Sequence, residues 1–281
     1  MLLTAAVAML IMAMAAFRFY VLSGSGMVTG VRFGLVRVQG VILDPEPVNE
    51  FIERLRDDQN VLGVVLRIDS PGGVVGPSQE IHRAVKRLAE TKPVVVSMGS
   101  VAASGGYYIA CPAHTIIANP GTLTGSIGVK LEVANYAGLM EKIGMGYESV
   151  DSGKFKSTPS PYEELTDEER EYLQALVFDL HDQFVGDVAE GRNMTREEVR
   201  KVADGRVLSG RQAARLGLVD ELGGLEDAFD ELKSLCKVTE DLPVEEGPVE
   251  ERSFLAELVG AESLIKPAKD FLAPRWQVFY Q

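Results

Sequence analysis

Three short segments carry side chains that could act on a carbonyl. The first is Asp69-Ser70-Pro71-Gly72-Gly73, the second Gly99-Ser100-Val101-Ala102-Ala103-Ser104-Gly105-Gly106, the third Asp151-Ser152-Gly153-Lys154-Phe155-Lys156. Ser104 stands among small residues that leave room for a substrate. A serine hydroxyl needs a neighbouring base to become a nucleophile. The three histidines, His82, His114 and His181, are badly placed for that role: one falls mid-helix, one at a strand start and one inside a long helix. A lysine serves instead when desolvation brings its pKa down from about 10.4 toward neutrality. Phe155 and Pro159 give Lys154 and Lys156 an apolar local setting. Gly72 lets a backbone N–H approach a ligand with no Cβ in the way, and the Gly105 N–H lies next to the serine. Two such donors can hold the oxyanion of a tetrahedral intermediate. Each segment also has a plainer reading: a Pro-Gly turn, a serine N-cap and a solvated lysine.

These segments need a scaffold, and the apolar patterning supplies one. Leu62–Ile68 and Pro93–Met98 are near-continuous apolar runs of the kind buried inside parallel sheets. Strands are also predicted at Gly34–Val38, Val41–Leu43, Thr115–Ala118 and Tyr147–Val150. Helices are predicted at Pro47–Asp58, Pro77–Glu90, Ser104–Ala110 and Asn135–Ile143. Strand–helix–strand repetition of this kind gives parallel βαβ units with right-handed crossovers. Each of the three segments then follows a strand, at the sheet end where ligands bind. After Pro161 the pattern turns helical. Thr166–Glu190 reads as a long amphipathic helix opened by a Thr166/Glu169 capping box, with shorter helices at Arg196–Ala203, Gly210–Leu216 and Leu225–Leu235.

Charge divides the 281 residues. Residues 1–161 hold 14 Lys/Arg and 13 Asp/Glu, whereas 162–281 hold 14 and 28. With no basic surplus near the candidate chemistry, nucleic acid is not an expected partner. Glu240–Glu251 carries six acidic residues, no basic ones and two prolines, the composition of a linker or disordered tail. Cys111 and Cys236 form neither a disulfide framework nor a metal-ligand cluster, and no cofactor is called for. Residues 1–17 are uncharged. With Arg18 snorkelling, the run reaches the roughly 20 residues of a membrane span, although Ala13-Met14-Ala15 also resembles a signal-peptide cleavage site. Expected boundaries are a transmembrane anchor over 1–22, a linker over 23–33, a catalytic domain over 34–238 and an acidic linker and tail over 239–281. Arg18, Arg32 and Arg37 would place the domain in the cytoplasm by the positive-inside rule.

In order and spacing, SPGG, SVAASGGYY, TGSIG (Thr124–Gly128) and SGKFKS resemble the short-form signal peptide peptidase A family, as does Ala203–Gly224. The resemblance implies a Clp/crotonase-like parallel βαβ spiral with a helical C-terminal extension, preceded by one transmembrane helix. It implies a serine endopeptidase with Ser104 as nucleophile and Lys156, rather than Lys154, as general base. Gly72 and Gly105 become the oxyanion donors, and Ser126 a candidate to orient the lysine. It further implies a membrane-tethered homo-octamer on the extracytoplasmic side, against the charge rule. There a dyad would draw on adjacent subunits and degrade signal peptides and other hydrophobic peptides. The alternatives are an acyl-CoA enzyme of the crotonase class, which would need neither Ser104 nor Lys156, and a non-enzymatic membrane scaffold.

Overall fold

The computed structural model describes residues 30–248 and 279–280. The expected membrane anchor and most of its linker lie outside the described residues, among which no helix is long and apolar enough to cross a membrane.

Apolar, β-branched runs form the central strands. β1 (Arg32–Gln39), β2 (Val61–Ser70) and β4 (Val94–Ala103) lie side by side and parallel. Residues of β2 alternate between two hydrophobic clusters. Val64, Leu66 and Ile68 pack in the main core with the helices α1 (Glu46–Asp57) and α2 (Val75–Ala89). Val65 faces the other side and meets Phe33, Leu35, Val95 and Ile117 beneath Ala228 and Leu232 of α8 (Leu225–Cys236). Both sheet faces are therefore covered, which is why these strands read as unbroken apolar runs rather than alternating ones.

The end of β4 departs from a regular ladder. Its first half, Val95–Met98, pairs parallel with β5 (Thr115–Ala118). Its last three residues, Val101–Ala103, pair parallel with β6 (Leu123–Gly125). The register with β2 shifts at the same point, between Ile68 and Ser70. At the fork the Asp69 carboxylate accepts the Val101 N–H at 3.1 Å, and Thr122 Oγ1 donates to the Gly99 carbonyl at 2.7 Å. The α3 helix (Gly105–Ala110) follows β4 directly. A two-residue β3 (Gly73–Val74) links β2 to α2, and the short β7 (Val207–Ser209) pairs antiparallel with β6. The large sheet is thus mixed: six parallel pairings and one antiparallel one.

Several expectations need correction. Val41–Leu43 contributes a single bridge, Ile42 to Gly73, rather than a strand. Tyr147–Val150 is irregular and exposed, with Val150 96% accessible, and pairs with no strand among the described residues. The helix predicted just before it, Asn135–Ile143, shortens to α4 (Ala137–Lys142), which buries none of its residues. The acidic stretch contains an ordered strand, β9 (Val244–Gly247), parallel to β1. Composition hid it because its charges are matched from across the sheet. The Arg32 side chain, 8% exposed, joins Asp58 at 2.6 Å and Glu245 at 2.7 Å, while Arg37 pairs with Glu246. The long helix, α5 (Asp167–Gly191), opens with the expected Thr166/Glu169 capping box. It buries its C-terminal half, Phe184, Val185, Val188 and Ala189, whereas Tyr172, Leu176 and Phe178 near its start stay exposed. Between α5 and α8 come the short α6 (Arg196–Arg200) and α7 (Gly210–Arg215), with β8 (Glu221–Leu222) along β5.

Candidate active site

Ser104 occupies the turn where β4 passes into α3. Its backbone sits at φ 53° and ψ −116°, a region a Cβ-bearing residue adopts at a cost of order 1–3 kcal/mol. The surroundings impose it. The Ser104 N–H donates to the Gly125 carbonyl and its own carbonyl accepts the Tyr108 N–H, both at 2.8 Å. Ala102 and Ala103 are pinned by the β6 ladder. The side chain is buried, and Oγ has no hydrogen-bond partner among the described residues. A buried hydroxyl left without a partner costs about 1–3 kcal/mol. Strain and an unmet hydroxyl at one residue are the marks of a functional position rather than a structural cap; Ser104 makes no side-chain cap bond.

The Pro71-Gly72-Gly73 loop is pressed against this turn. Gly72 has φ +109°. A Cβ there would lie 2.8 Å from the Gly105 nitrogen and 3.1 Å from Ser104 Cβ; one on Gly105 would lie 2.7 Å from Ser78 Oγ and 3.1 Å from the Gly73 nitrogen. Glycine at both positions is what lets two backbones come this close. The Gly105 N–H belongs to the first turn of α3, where no intrahelical acceptor exists. The Gly72 N–H donates to Ser70 Oγ at 3.1 Å, and the Gly73 nitrogen faces Gly105.

Ser126 follows the Ala103–Gly125 pair on β6 as Ser104 follows it on β4, so the two serines are neighbours in register. Ser126 also has a positive φ, 50°. Its N–H donates to the Arg206 carbonyl at 2.9 Å and its Oγ to the Gly205 carbonyl at 3.3 Å.

The lysines lie elsewhere. Both are exposed on the irregular segment before α5. Lys154 is ion-paired with Glu168, and Phe155 beside it stacks on Tyr172 at 4.8 Å. Lys156 forms no ion pair or side-chain hydrogen bond among the described residues. It borders a cavity of about 310 Å³ with Tyr147, Ser157, Pro159 and Tyr162. Within one chain, then, the structure brings Ser104, Gly72, Gly105 and Ser126 together and leaves Lys156 outside that cluster. No histidine substitutes for it. His82 Nδ1 is 2.9 Å from the Tyr108 carbonyl and burial pushes its pKa down; His114 Nδ1 accepts the Val94 N–H at 3.1 Å.

Sequence reasoning missed two contributors. Tyr108 is buried beside His82, with its hydroxyl hydrogen-bonded to Asp187; the Tyr107-Tyr108 pair after Gly-Gly was the available signal. The other is β10 (Phe279–Tyr280), which pairs antiparallel with β3. The apolar, aromatic sequence of Phe271–Gln281 left packing on a neighbour, an active-site groove and the membrane surface equally open. Among the described residues no cluster of His, Cys, Asp and Glu is placed to hold a metal ion.

The profile of peptidase family S49 matches residues 86–239. The chain is 43% identical over 217 residues to a candidate protease of Synechocystis, covering 77% of this chain and 78% of that protein. It is 40% identical over 203 residues to a candidate protease of Methanocaldococcus jannaschii, covering 72% and 65%. It is 38% identical over 222 residues to a candidate signal peptide peptidase SppA of Enterococcus faecium, covering 74% and 64%. The chain thus spans just under two thirds of the last two. Among solved structures, a ClpP1 mutant of Listeria monocytogenes aligns at TM-score 0.47 and 20% identity over 69% of this chain and 93% of that one.

Proposed function

This chain belongs to peptidase family S49, and we propose that it is a serine endopeptidase with Ser104 as nucleophile and Lys156 as general base. The observation that carries the reading is the strained, buried Ser104 with an unpartnered hydroxyl, set against two glycine backbones. Neutral Lys156 takes the Ser104 proton as Oγ attacks the peptide carbonyl. The oxyanion is held by the Gly105 N–H and by the Gly72–Gly73 backbone. The Gly72 N–H turns to substrate only by leaving Ser70 Oγ, which makes the Gly73 N–H the readier donor. The lysinium then protonates the leaving amine, and Lys156 activates the water that clears the acyl-enzyme. Ser126, one strand over from Ser104, orients the lysine once it arrives.

The lysine arrives from outside the single-chain cluster. Leu139, Ile143, Met145, Tyr147, Val150 and Phe178 are large, apolar and exposed around the segment that bears it. Such a patch supports cover by a second copy of the chain, and with it an assembly, an octamer by resemblance, in which the dyad is completed between subunits. The uncharged N-terminal run supports a membrane tether, and the resemblance, against the charge rule, puts the catalytic domain on the extracytoplasmic side. A cavity of about 790 Å³ has one apolar side, Leu131, Val133, Leu173 and Val177, and one charged side with Glu163, Glu164 and Arg170; the apolar side would take apolar peptides, by resemblance cleaved signal peptides foremost.

The test is hydrolysis of a fluorogenic apolar peptide by the full chain and its variants. Ser104→Ala and Lys156→Ala should each lose roughly 10³-fold or more, while Lys154→Ala should retain activity. Loss in Lys154→Ala with Lys156→Ala active would move the base. Activity indifferent to Ser104 would end the peptidase reading.

A further inference from the structure

The loop that carries Lys156 has no sheet to stiffen it, yet the residues around the lysine are tied. Asp151 Oδ2 accepts two hydroxyl hydrogen bonds at 2.6 Å, one from Ser149 and one from Ser157. The two hydroxyl oxygens are themselves 3.4 Å apart. One carboxylate therefore closes the neck of a loop that runs from Ser149 to Ser157. Just outside that neck the Tyr147 and Tyr162 rings meet at 4.7 Å. Within the loop the Lys156 N–H donates to the Gly153 carbonyl at 3.0 Å, forming the turn at whose end the lysine stands.

The rest of the loop is fastened to the start of α5. Lys154 pairs with Glu168, the Phe155 ring stacks on Tyr172, and Thr158 Oγ1 donates to Glu169. Residues 154, 155, 157 and 158 thus each hold a side-chain partner, and Lys156 in their midst holds none among the described residues. That sorting leaves one amine free on a held backbone, which is what a general base needs. Short O–H···O⁻ bonds to an ionised acceptor are among the stronger hydrogen bonds. The Ser149 hydroxyl first, then that of Ser157, and least the Lys156 charge, hold the Asp151 carboxyl below the usual carboxylate range. The acceptor is therefore ionised at neutral pH. These bonds lie at the surface, where polar pairs contribute little to global stability. Their effect is local: they set the span of the loop. A reacting group displaced by about 1 Å can lose roughly 10²-fold in rate.

We infer that Asp151 is a positioning residue for the general base: by gathering the Ser149 and Ser157 hydroxyls it fixes the shape of the loop, so that assembly delivers Lys156 to Ser104 in one stance. The inference rests on the peptidase reading above, since it needs Lys156 to be the base. It adds a residue that touches neither substrate nor nucleophile and acts only through the backbone it holds.

The experiment separates positioning from folding. Full-length Asp151→Ala, Asp151→Asn and Ser149→Ala/Ser157→Ala proteins are compared with wild type on the fluorogenic apolar peptide, with melting and sedimentation measured alongside. Asp151→Ala should lower kcat roughly 10- to 100-fold and leave KM within about two-fold. Its melting point should stay within about 1 °C and its assembly size should not change. Asp151→Asn keeps an oxygen to accept the two hydroxyls and should bring kcat back to within about three-fold of wild type. The triple variant Asp151→Ala/Ser149→Ala/Ser157→Ala should be no slower than Asp151→Ala alone, because the carboxylate acts through those hydroxyls. An unchanged kcat in Asp151→Ala, a change in KM alone, or equal losses in Asp151→Ala and Asp151→Asn would overturn the inference. So would a loss that follows dissociation of the assembly, which would make Asp151 an interface residue. Hydrolysis that needs Ser104 and Lys156 but ignores Asp151 would remove this inference and keep the peptidase; hydrolysis that ignores Lys156 would remove both.

Discussion

Ser104 and Lys156 are held in opposite ways. Ser104 is fixed by the strand ladder on one side, a helix on the other and two glycine contacts above, all from its own chain and all buried. Lys156 stands on a segment whose neighbours, from Tyr136 to Gly153, are almost all exposed and which contributes no strand to any sheet. A nucleophile tolerates no play, because its oxygen must meet a carbonyl already seated against N–H donors. A base whose position is settled by what packs on it can instead act as a switch. On the proposed reading, the difference teaches that this fold builds the attacking half by itself and leaves the proton-accepting half to assembly.

The most forceful way to break that contrast is complementation. Ser104→Ala and Lys156→Ala proteins, each inactive alone, should regain activity when unfolded and reassembled together, rising roughly 10²- to 10³-fold above either. Mixed assemblies that stay dead while physically formed would mean that each chain supplies both groups to its own site. A smaller effect sharpens the nucleophile side. Gly105→Ala places a Cβ 2.7 Å from Ser78 Oγ and 3.1 Å from the Gly73 nitrogen. It should cost about 10²-fold in kcat by spoiling the oxyanion donors, together with about 1–3 kcal/mol of stability. Near-wild-type turnover would show that the two backbones need not be so close. The smallest effect concerns strain. Ser104→Gly relieves φ 53°, so it should be about 1 kcal/mol more stable than Ser104→Ala, a melting difference of about 2–4 °C. Equal melting points would place the cost of that turn elsewhere.

The nucleophile half was also the legible half. Apolar runs gave β2 and β4 to within a few residues, and the small residues around Gly72 and Ser104 marked the loops that meet. Local chemistry sufficed for the Thr166/Glu169 cap as well. Legibility failed wherever pairing was made by distant partners. The acidic composition of 240–251 concealed β9, because Arg32 and Arg37, which neutralise it, lie more than 200 residues earlier. The strand predicted at Tyr147–Val150 has no neighbour to complete it among the described residues. The aromatic character of Phe279–Tyr280 did not choose among a neighbour, a groove and the membrane surface, since its order comes from Gly73, Val74 and Lys130 rather than from its own sequence. Lys156 could be nominated by resemblance, but the apolar setting expected from Phe155 and Pro159 does not desolvate it: Phe155 stacks on Tyr172 and Lys156 stays exposed.

The pairing of β1 with β9 also sets a clock. Arg32 is made early and Glu245 some 213 residues later. At synthesis rates of about 5–20 residues per second, the outer edge of β1 waits roughly 10–40 s for its neighbour. An unpaired strand edge invites pairing with other chains, and charged side chains along it are one defence. Arg32 and Arg37 suit that interval: the side chains that later hold β9 in place are charges of the kind that disfavour pairing of an open edge with its own copies.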